Sequence, residues 1–323
     1  MANGKTERPG EFALIAELFA PLSKAAPGAF GLTDDAAVLA PPPGHELVLK
    51  TDAIVEGVHF FRNDPPRAIA QKALRVNLSD LAAKGAVPAG YLMVLLLPDW
   101  PDAAWLRAFA DGLAADQKAF GLSLMGGDTS ATPGPLSVAI SAFGFVPAGQ
   151  MIRRAGAKPG DLVFVSGTIG DAGGGLAALK ENKPDAALIA RYRVPEPRLA
   201  LGPLLRGVAS ASLDVSDGLV ADLRHIADVS QVRIEVDAAR IPLSTALKAL
   251  WGEEAAMRAA TSGDDYEIAF TTPASRRSEV ANAAARSGVA VSEIGRVVTG
   301  EGAVLLDETG NAIALARAGY THF

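Results

Sequence analysis

No apolar run in this chain is long enough to be more than a strand or one side of a helix. The longest, around 91–97 and 138–146, are about half of the roughly 20 residues that a membrane-spanning helix needs. These runs are rich in aliphatic and β-branched residues, are bounded by Gly, Pro, Asn or Asp, and alternate with longer stretches of helical periodicity. Buried strands interleaved with helices follow, hence an α/β or α+β chain. At 323 residues it is also long enough for two domains.

The first block alternates helices and strands. Phe12, Ile15, Leu18 and Phe19 predict a helix over 11–22, and residues 46–55 a strand. A long helix over 65–84 begins on prolines and stops at Gly85, with a strand at 90–97 after it. A helix over 102–120 is closed by Gly121. A short strand at 123–125 runs into Gly126-Gly127-Asp128, and a further strand covers 136–145. The Gly-, Pro- and charge-rich segment PAGQMIRRAGAKPGD, 147–161, then separates two domains, 1–149 and 150–323. The second block predicts strands at 162–165, 232–236 and 266–271, helices around 176–180, 243–250 and 274–287, and short strands at the carboxy terminus. Neither a repeat period nor a low-complexity tract is present.

Composition narrows the function classes. Thirty basic against 36 acidic residues give a formal charge of −6 with no basic run, which speaks against a general nucleic-acid or anionic-membrane surface. There is no cysteine, so disulfides, thiolate metal sites and a cysteine nucleophile are excluded. The segment MANGKTERPGEF has no apolar centre of the signal-peptide kind, and a cytoplasmic location is the expectation.

Carboxylates recur at the ends of apolar segments beside Gly, Thr or Ser: Asp34 and Asp35 in GLTDDAAVL, Asp52 in LKTDAIVEGVHF, Asp80 in VNLSDLAAKGA, Asp128 in LMGGDTS, Asp214 and Asp217 in LDVSDGL. Singly, each has a structural role open to it, in a turn, on a helix surface or as a helix cap. As a set, hard oxygen ligands without His or Cys clusters suit Mg²⁺ held between carboxylates and substrate phosphates. Ligands spread over both blocks would converge on a cleft between domains or subunits, with a nucleoside triphosphate as occupant.

Familiar phosphate motifs are missing: there is no G-x-x-x-x-G-K-[ST] and no H-R-D. The turn GTIGDAGGG, 167–175, has glycines that serve an anion site and a tight strand-to-helix turn equally well. His45, His59, His225 and His322 form no zinc signature, and only His59 follows a candidate metal strand. In LDVSDGLVADL, alternation turns Asp214 away from Leu213 and Val215. Asp217 caps the next helix, Leu219, Leu223 and Ile226 are its buried face, and Asp222 lies on its solvent side.

Taken in order, GLTDDAAVL, KTDAIVEGVHF, KALRVNLSDLAAKGA, LMGGDTS, RRAGAKPGD, LDVSDGL, SGDDYEIAF and the terminal GYTHF resemble the thiamine-monophosphate kinase family, within the superfamily of aminoimidazole ribonucleotide synthetase. The resemblance spans almost the whole chain. It implies a PurM-like fold: an amino-terminal mixed sheet forming a barrel across a homodimer axis, and a carboxy-terminal α/β sandwich domain. It also implies ATP-dependent conversion of thiamine phosphate to thiamine diphosphate with several Mg²⁺ ions. By position, Asp35, Thr51, Asp52, Asp80, Asp128, Asp214 and Asp217 would hold metal, and Gly127, Asp128, Arg154 and Ser216 would contact ATP. His59, Asp264 and Tyr320 would line the thiamine phosphate site. Lys50 stands where the family often has a small hydroxyl residue, and Asp264 where Glu is more usual. Two other readings stay open: a different ATP-dependent enzyme of the superfamily, and a non-catalytic nucleotide- or thiamine-binding protein. Relatives that depend on a reactive cysteine do not suit a chain without one.

Overall fold

The computed structural model of the protein describes residues 10–320. The segment ahead of Gly10, including most of MANGKTERPGEF, and His322 of GYTHF lie outside the described residues. Two units account for the chain: one runs up to Leu81 and again over Val87–Ala148, the other takes Ala82–Ala86 and everything described from Gly149 on.

The first unit opens with α1 (Glu11–Leu14), which continues as a π turn over Ile15–Phe19 and a 3-10 turn over Ala20–Ser23. The helix expected over 11–22 therefore forms but changes its winding, since Pro21 has no N–H to give an α-helical bond. Then come β1 (His45–Val55), α2 (Pro66–Ala83), β2 (Val87–Leu97), α3 (Ala103–Phe120), β3 (Ser123–Ala131) and β4 (Ser137–Pro147). The four strands form one sheet in the order β1-β4-β2-β3, parallel between β2 and β3 and antiparallel elsewhere.

Burial alternates residue by residue along β4, so this sheet has one covered face and one open face. Val48 and Ile54 of β1 and Val138, Ile140 and Ala142 of β4 are buried, whereas Leu47, Leu49, Leu92 and Val94 are exposed, Leu49 at 67%. Helix α3 begins where the Asp102 carboxylate accepts from the Trp105 N–H and ends on Gly121 in the left-handed conformation. It is tied to α2 by a fork of bonds from Arg75 Nε and Nη2 to the buried Asp116, with Gln71 donating to the same carboxylate.

The second unit comprises β5 (Asp161–Ser166), α4 (Asp171–Lys180), α5 (Ala186–Arg193), β6 (Ala211–Asp214), α6 (Leu219–Ser230), β7 (Arg233–Asp237), α7 (Thr245–Trp251), α8 (Ala255–Thr261), β8 (Ile268–Pro273), α9 (Arg277–Ser287), β9 (Val291–Val298) and β10 (Gly302–Leu306). Its sheet has the order β10-β7-β9-β5-β8-β6, with only the β10–β7 pair parallel. Here both faces are apolar. Val163 and Val165 join one core with Leu213, Leu223 and Ile226, while the intervening Phe164 joins another with Phe270, Leu201 and Val280. A sheet whose successive side chains enter two cores is a sandwiched layer, the α/β sandwich that the sequence predicts.

Just ahead of β8 a charge is buried outright. Glu267 is inaccessible to solvent; it accepts from Ser166 Oγ at 2.6 Å, Arg191 Nη2 at 2.9 Å and Arg198 Nε at 2.6 Å. Burial pushes its carboxyl above the ordinary carboxylate range, and the two guanidiniums counter that rise. Removing one partner of such a network leaves charges unanswered. Glu267→Ala should cost about 3–5 kcal/mol, read as a lowered denaturant midpoint with an unchanged slope.

Candidate active site

In the first unit, strand alternation divides the predicted ligands. Lys50 and Asp52, two apart on β1, share the covered face, and there Lys50 Nζ lies 2.8 Å from Asp80 Oδ2 on α2 and 3.2 Å from Asp52 Oδ2. Burial opposes the ammonium charge, yet the Asp80 carboxylate, and after it Asp52, hold the lysine above its ordinary value. Thr51 faces the other way: its Oγ1 donates to the Ile140 carbonyl and accepts from Ser141 Oγ across the sheet. The structure thus brings Asp52 and Asp80 together and sends the Thr51 hydroxyl to the opposite face.

Asp35 and Asp128 meet elsewhere in this unit. With Asp34, Leu49 and Phe143 they line a cavity of about 640 Å³. The Asp34 carboxylate accepts the Asp35 N–H at 2.8 Å, and Asp128 Oδ2 accepts from Ser130 Oγ at 2.9 Å. Gly126-Gly127-Asp128 lies within β3, not after it, because that strand continues to Ala131. Gly127 makes this possible. Its φ is 153°, and a Cβ there would fall 1.8 Å from the Met93 carbonyl oxygen of β2, so the ladder closes only around a glycine. His59 sits in the turn after β1. Its Nδ1 accepts the Val55 N–H at 3.0 Å, which leaves Nε2 as the donor of the neutral ring, and the buried Lys72 holds its carbonyl at 2.8 Å.

In the second unit the turn after β6 gathers several predicted residues. Asp214 is buried at the end of β6 between core residues Leu213 and Val215. Ser216 O accepts the Asp264 N–H at 2.8 Å, and Asp217 O accepts the Tyr320 N–H at 2.8 Å, so Ser216, Asp217, Asp264 and Tyr320 are joined through their backbones. Asp264 and Tyr266 have φ of 69° and 53°, a left-handed backbone that is costly for residues other than glycine and that marks strained, function-bearing loops. The Asp264 carboxylate accepts from Tyr266 Oη, and Tyr320 is 52% exposed. Arg154 is exposed on a loop pinned on both sides: Ile152 donates to Lys84 O, Arg153 O accepts from Ser212, and Ser230 Oγ accepts from Gly156 and Ala157.

Two expectations about this turn are corrected. Asp222 is buried, not on the solvent side, and its Oδ2 accepts the N–H groups of Ser216, Asp217 and Gly218 at 2.9, 2.9 and 3.1 Å. Its position three residues after Leu219 puts it on the same helix face as Leu219, Leu223 and Ile226, a signal already present in the spacing. Asp217 does not cap α6; Gly218 is the N-cap residue and makes no side-chain bond. Asp222 orders the turn, with its carboxyl pushed up to about 7 by burial, against the pull of the Asp217, Gly218 and Ser216 N–H groups. Carboxylate oxygens of Asp217 and Asp222 and a His225 ring nitrogen also lie within 4.8 Å of one another. With Asp222 Oδ2 engaged three times over, this trio is a hydrogen-bonded turn rather than an open ion pocket.

The glycine-rich turn 167–175 resolves in favour of packing. The buried Asp265 fills the amino end of α4, accepting from Gly170 N at 2.7 Å and Ala172 N at 3.3 Å, and a Cβ on Gly175 would fall 2.1 Å from the Leu188 carbonyl oxygen of α5. The carboxyl group at this helix end is the protein's own. As a donor set, the carboxylates of Asp35, Asp52, Asp80, Asp128, Asp214 and Asp217 are all hard oxygens with no soft ligand among them, which fits Mg²⁺.

Known proteins resemble this chain over nearly its whole length. The family model of AIR synthase related protein, N-terminal domain, matches residues 33–146, and that of the C-terminal domain matches 158–308. The thiamine-monophosphate kinase of Caulobacter vibrioides is 46% identical over 97% of this chain and 91% of its own length. The crystal structure of thiamine-monophosphate kinase from Stenotrophomonas maltophilia superimposes with a TM-score of 0.84 at 40% identity, covering 94% of this chain and 98% of that one. A structure of AaThiL complexed with AMPPCP and TMP gives 0.78 at 33% identity, covering 92% and 97%.

The clamp on the β6–α6 turn is testable by itself. Asp222→Ala should lose about 2 kcal/mol of stability in chemical denaturation, because three buried N–H groups lose their acceptor, whereas Asp222→Asn, which keeps an oxygen there, should recover most of the loss.

Proposed function

Because this chain belongs to the thiamine-monophosphate kinase family of AIR synthase-related proteins, we infer that it transfers the γ-phosphoryl group of ATP to the phosphate of thiamine monophosphate, giving thiamine diphosphate. The observation that carries the reading is a likeness over nearly the whole length to kinases of this name, one relative of which is seen with AMPPCP and TMP.

The chemistry agrees. The acceptor is a phosphate monoester with a second pKa near 6, so at neutral pH it is already mostly the charged nucleophile and needs no general base. The obstacle is repulsion between that dianion and the γ-phosphate, and bound Mg²⁺ would supply the offsetting charge and the alignment. The protein's part is then positioning. Asp35, Thr51, Asp52, Asp80 and Asp128 of residues 1–149, with Asp214 and Asp217 of 150–323, are the proposed ion ligands. The hydroxyl of Thr51 is engaged with Ile140 and Ser141, so the carbonyl is the atom proposed for that role. Gly127, Asp128, Arg154 and Ser216 are proposed for ATP, the exposed Arg154 suiting bidentate contact with the polyphosphate.

For the cationic thiazolium we propose the face of Tyr320 and the carboxylate of Asp264, two residues that meet on the same turn, and for its phosphate the Nε2–H of His59. The open face of the first sheet, with Leu47, Leu49, Leu92 and Val94 exposed, suits a second copy of the chain, and residues 1–149 are proposed as the dimerisation domain. A donor such as ATP makes the cytoplasm the proposed compartment.

Purified protein given ATP, Mg²⁺ and thiamine monophosphate should form thiamine diphosphate, and should do so in preference to phosphorylating thiamine or consuming an aminoimidazole precursor; no product would overturn the reading. Asp80→Asn and Asp128→Asn should each lower turnover by roughly 100-fold while shifting the melting temperature little. An unchanged rate would make those carboxylates structural. Leu49→Asp should convert a dimer to a monomer in light scattering, since it sets a charge in an apolar interface.

A further inference from the structure

Lys50 is the feature of the first unit that the reading above does not use. We propose that its ammonium is a tethered competitor for the divalent cation at Asp52 and Asp80, occupying the place between the two carboxylates and leaving them before an ion takes both. The inference rests on the reading of Asp52 and Asp80 as ion ligands.

Geometry carries it. One nitrogen reaches Asp80 Oδ2 at 2.8 Å and Asp52 Oδ2 at 3.2 Å, so a single cation already bridges the pair of acids that an ion would bridge. The next side chain, Thr51, is turned to the other face of the sheet and bonded there, which leaves Lys50 as the cation that β1 directs at these acids. The contact is also reversible. Lys50 is 29% exposed and Asp52 41%, so the ammonium has solvent to move into, and a compact charge on a four-carbon stem moves without the backbone.

Two carboxylates this close repel unless a cation stands between them, and Lys50 supplies one before any ion binds. A doubly charged hard ion outcompetes an ammonium for two oxygens, but it must bind to the fraction of molecules in which the ammonium has withdrawn. Its apparent affinity is reduced by that fraction. The device therefore raises the free Mg²⁺ concentration at which the pair fills.

Mn²⁺ alone is the probe, with the free ion counted by electron paramagnetic resonance during titration of the wild type, Lys50→Met, Lys50→Ser and Asp80→Asn, each checked for folding by its melting curve. The expected result is roughly tenfold tighter Mn²⁺ binding at one site in both lysine variants, as release from a partly exposed double ion pair predicts, and weaker binding in Asp80→Asn. Equal or weaker binding in both lysine variants, with Asp80→Asn still impaired, overturns the competition and leaves the ligand reading standing. Mn²⁺ binding unaffected by Asp80→Asn removes the ligand reading and this inference with it, whatever the kinase assay gives.

Discussion

Carboxylates withdrawn from water must be met by a cation or by N–H groups, and that constraint organises both units of this protein. Asp116 is met by Arg75 and Gln71, which lock α2 to α3. Glu267 is met by Arg191, Arg198 and Ser166, Asp265 by the amino end of α4, and Asp222 by the three N–H groups of the turn after β6. These acids hold the frame. Asp35 and Asp128 are different in kind: they stand exposed on a cavity wall, where an incoming cation can reach them. Among the other acids of the candidate set, Asp80 is paired with Lys50 and Asp214 is buried.

The sequence motif SGDDYE shows how both kinds sit side by side. Asp264 is bonded through its backbone to the turn after β6, Asp265 stops the end of a helix, and Glu267 anchors two arginines. A helix amino end already filled by Asp265 cannot also cradle a phosphate, which leaves the glycine-rich turn 167–175 a packing feature.

Much of this was legible in the residues themselves. Periodicity located most strands and long helices to within a few residues, because one-sided burial in the first sheet and two-sided burial in the second impose different patterns on β4 and β5, but it stopped β3 at 125, where the glycines begin, six residues short of its end. Short helices such as α5 and α8 were not expected, since seven or eight Ala-rich residues carry too little periodicity to stand out. The acids could be enumerated but not sorted. Asp222 and Asp217 occupy similar sequence surroundings, and only the path of the turn reveals that the former is its clamp. The role of Lys50 was hidden for the same reason: its partner Asp80 lies 30 residues away on another element, and no local pattern joins them.

Strand β1 has a consequence of its own. Along its length it shows opposite characters to the two sides of one sheet, charge with Lys50 and Asp52, and aliphatic surface with Leu47 and Leu49. A one-residue insertion ahead of Leu49 would reverse every side chain after it, putting the ammonium and Asp52 on the open face and Leu49 towards Asp80. The chemistry of this edge strand is thus written in parity: whether a residue stands at an odd or an even place decides whether it joins the charged face or the aliphatic one, and length changes in β1 are barred more strictly than substitutions.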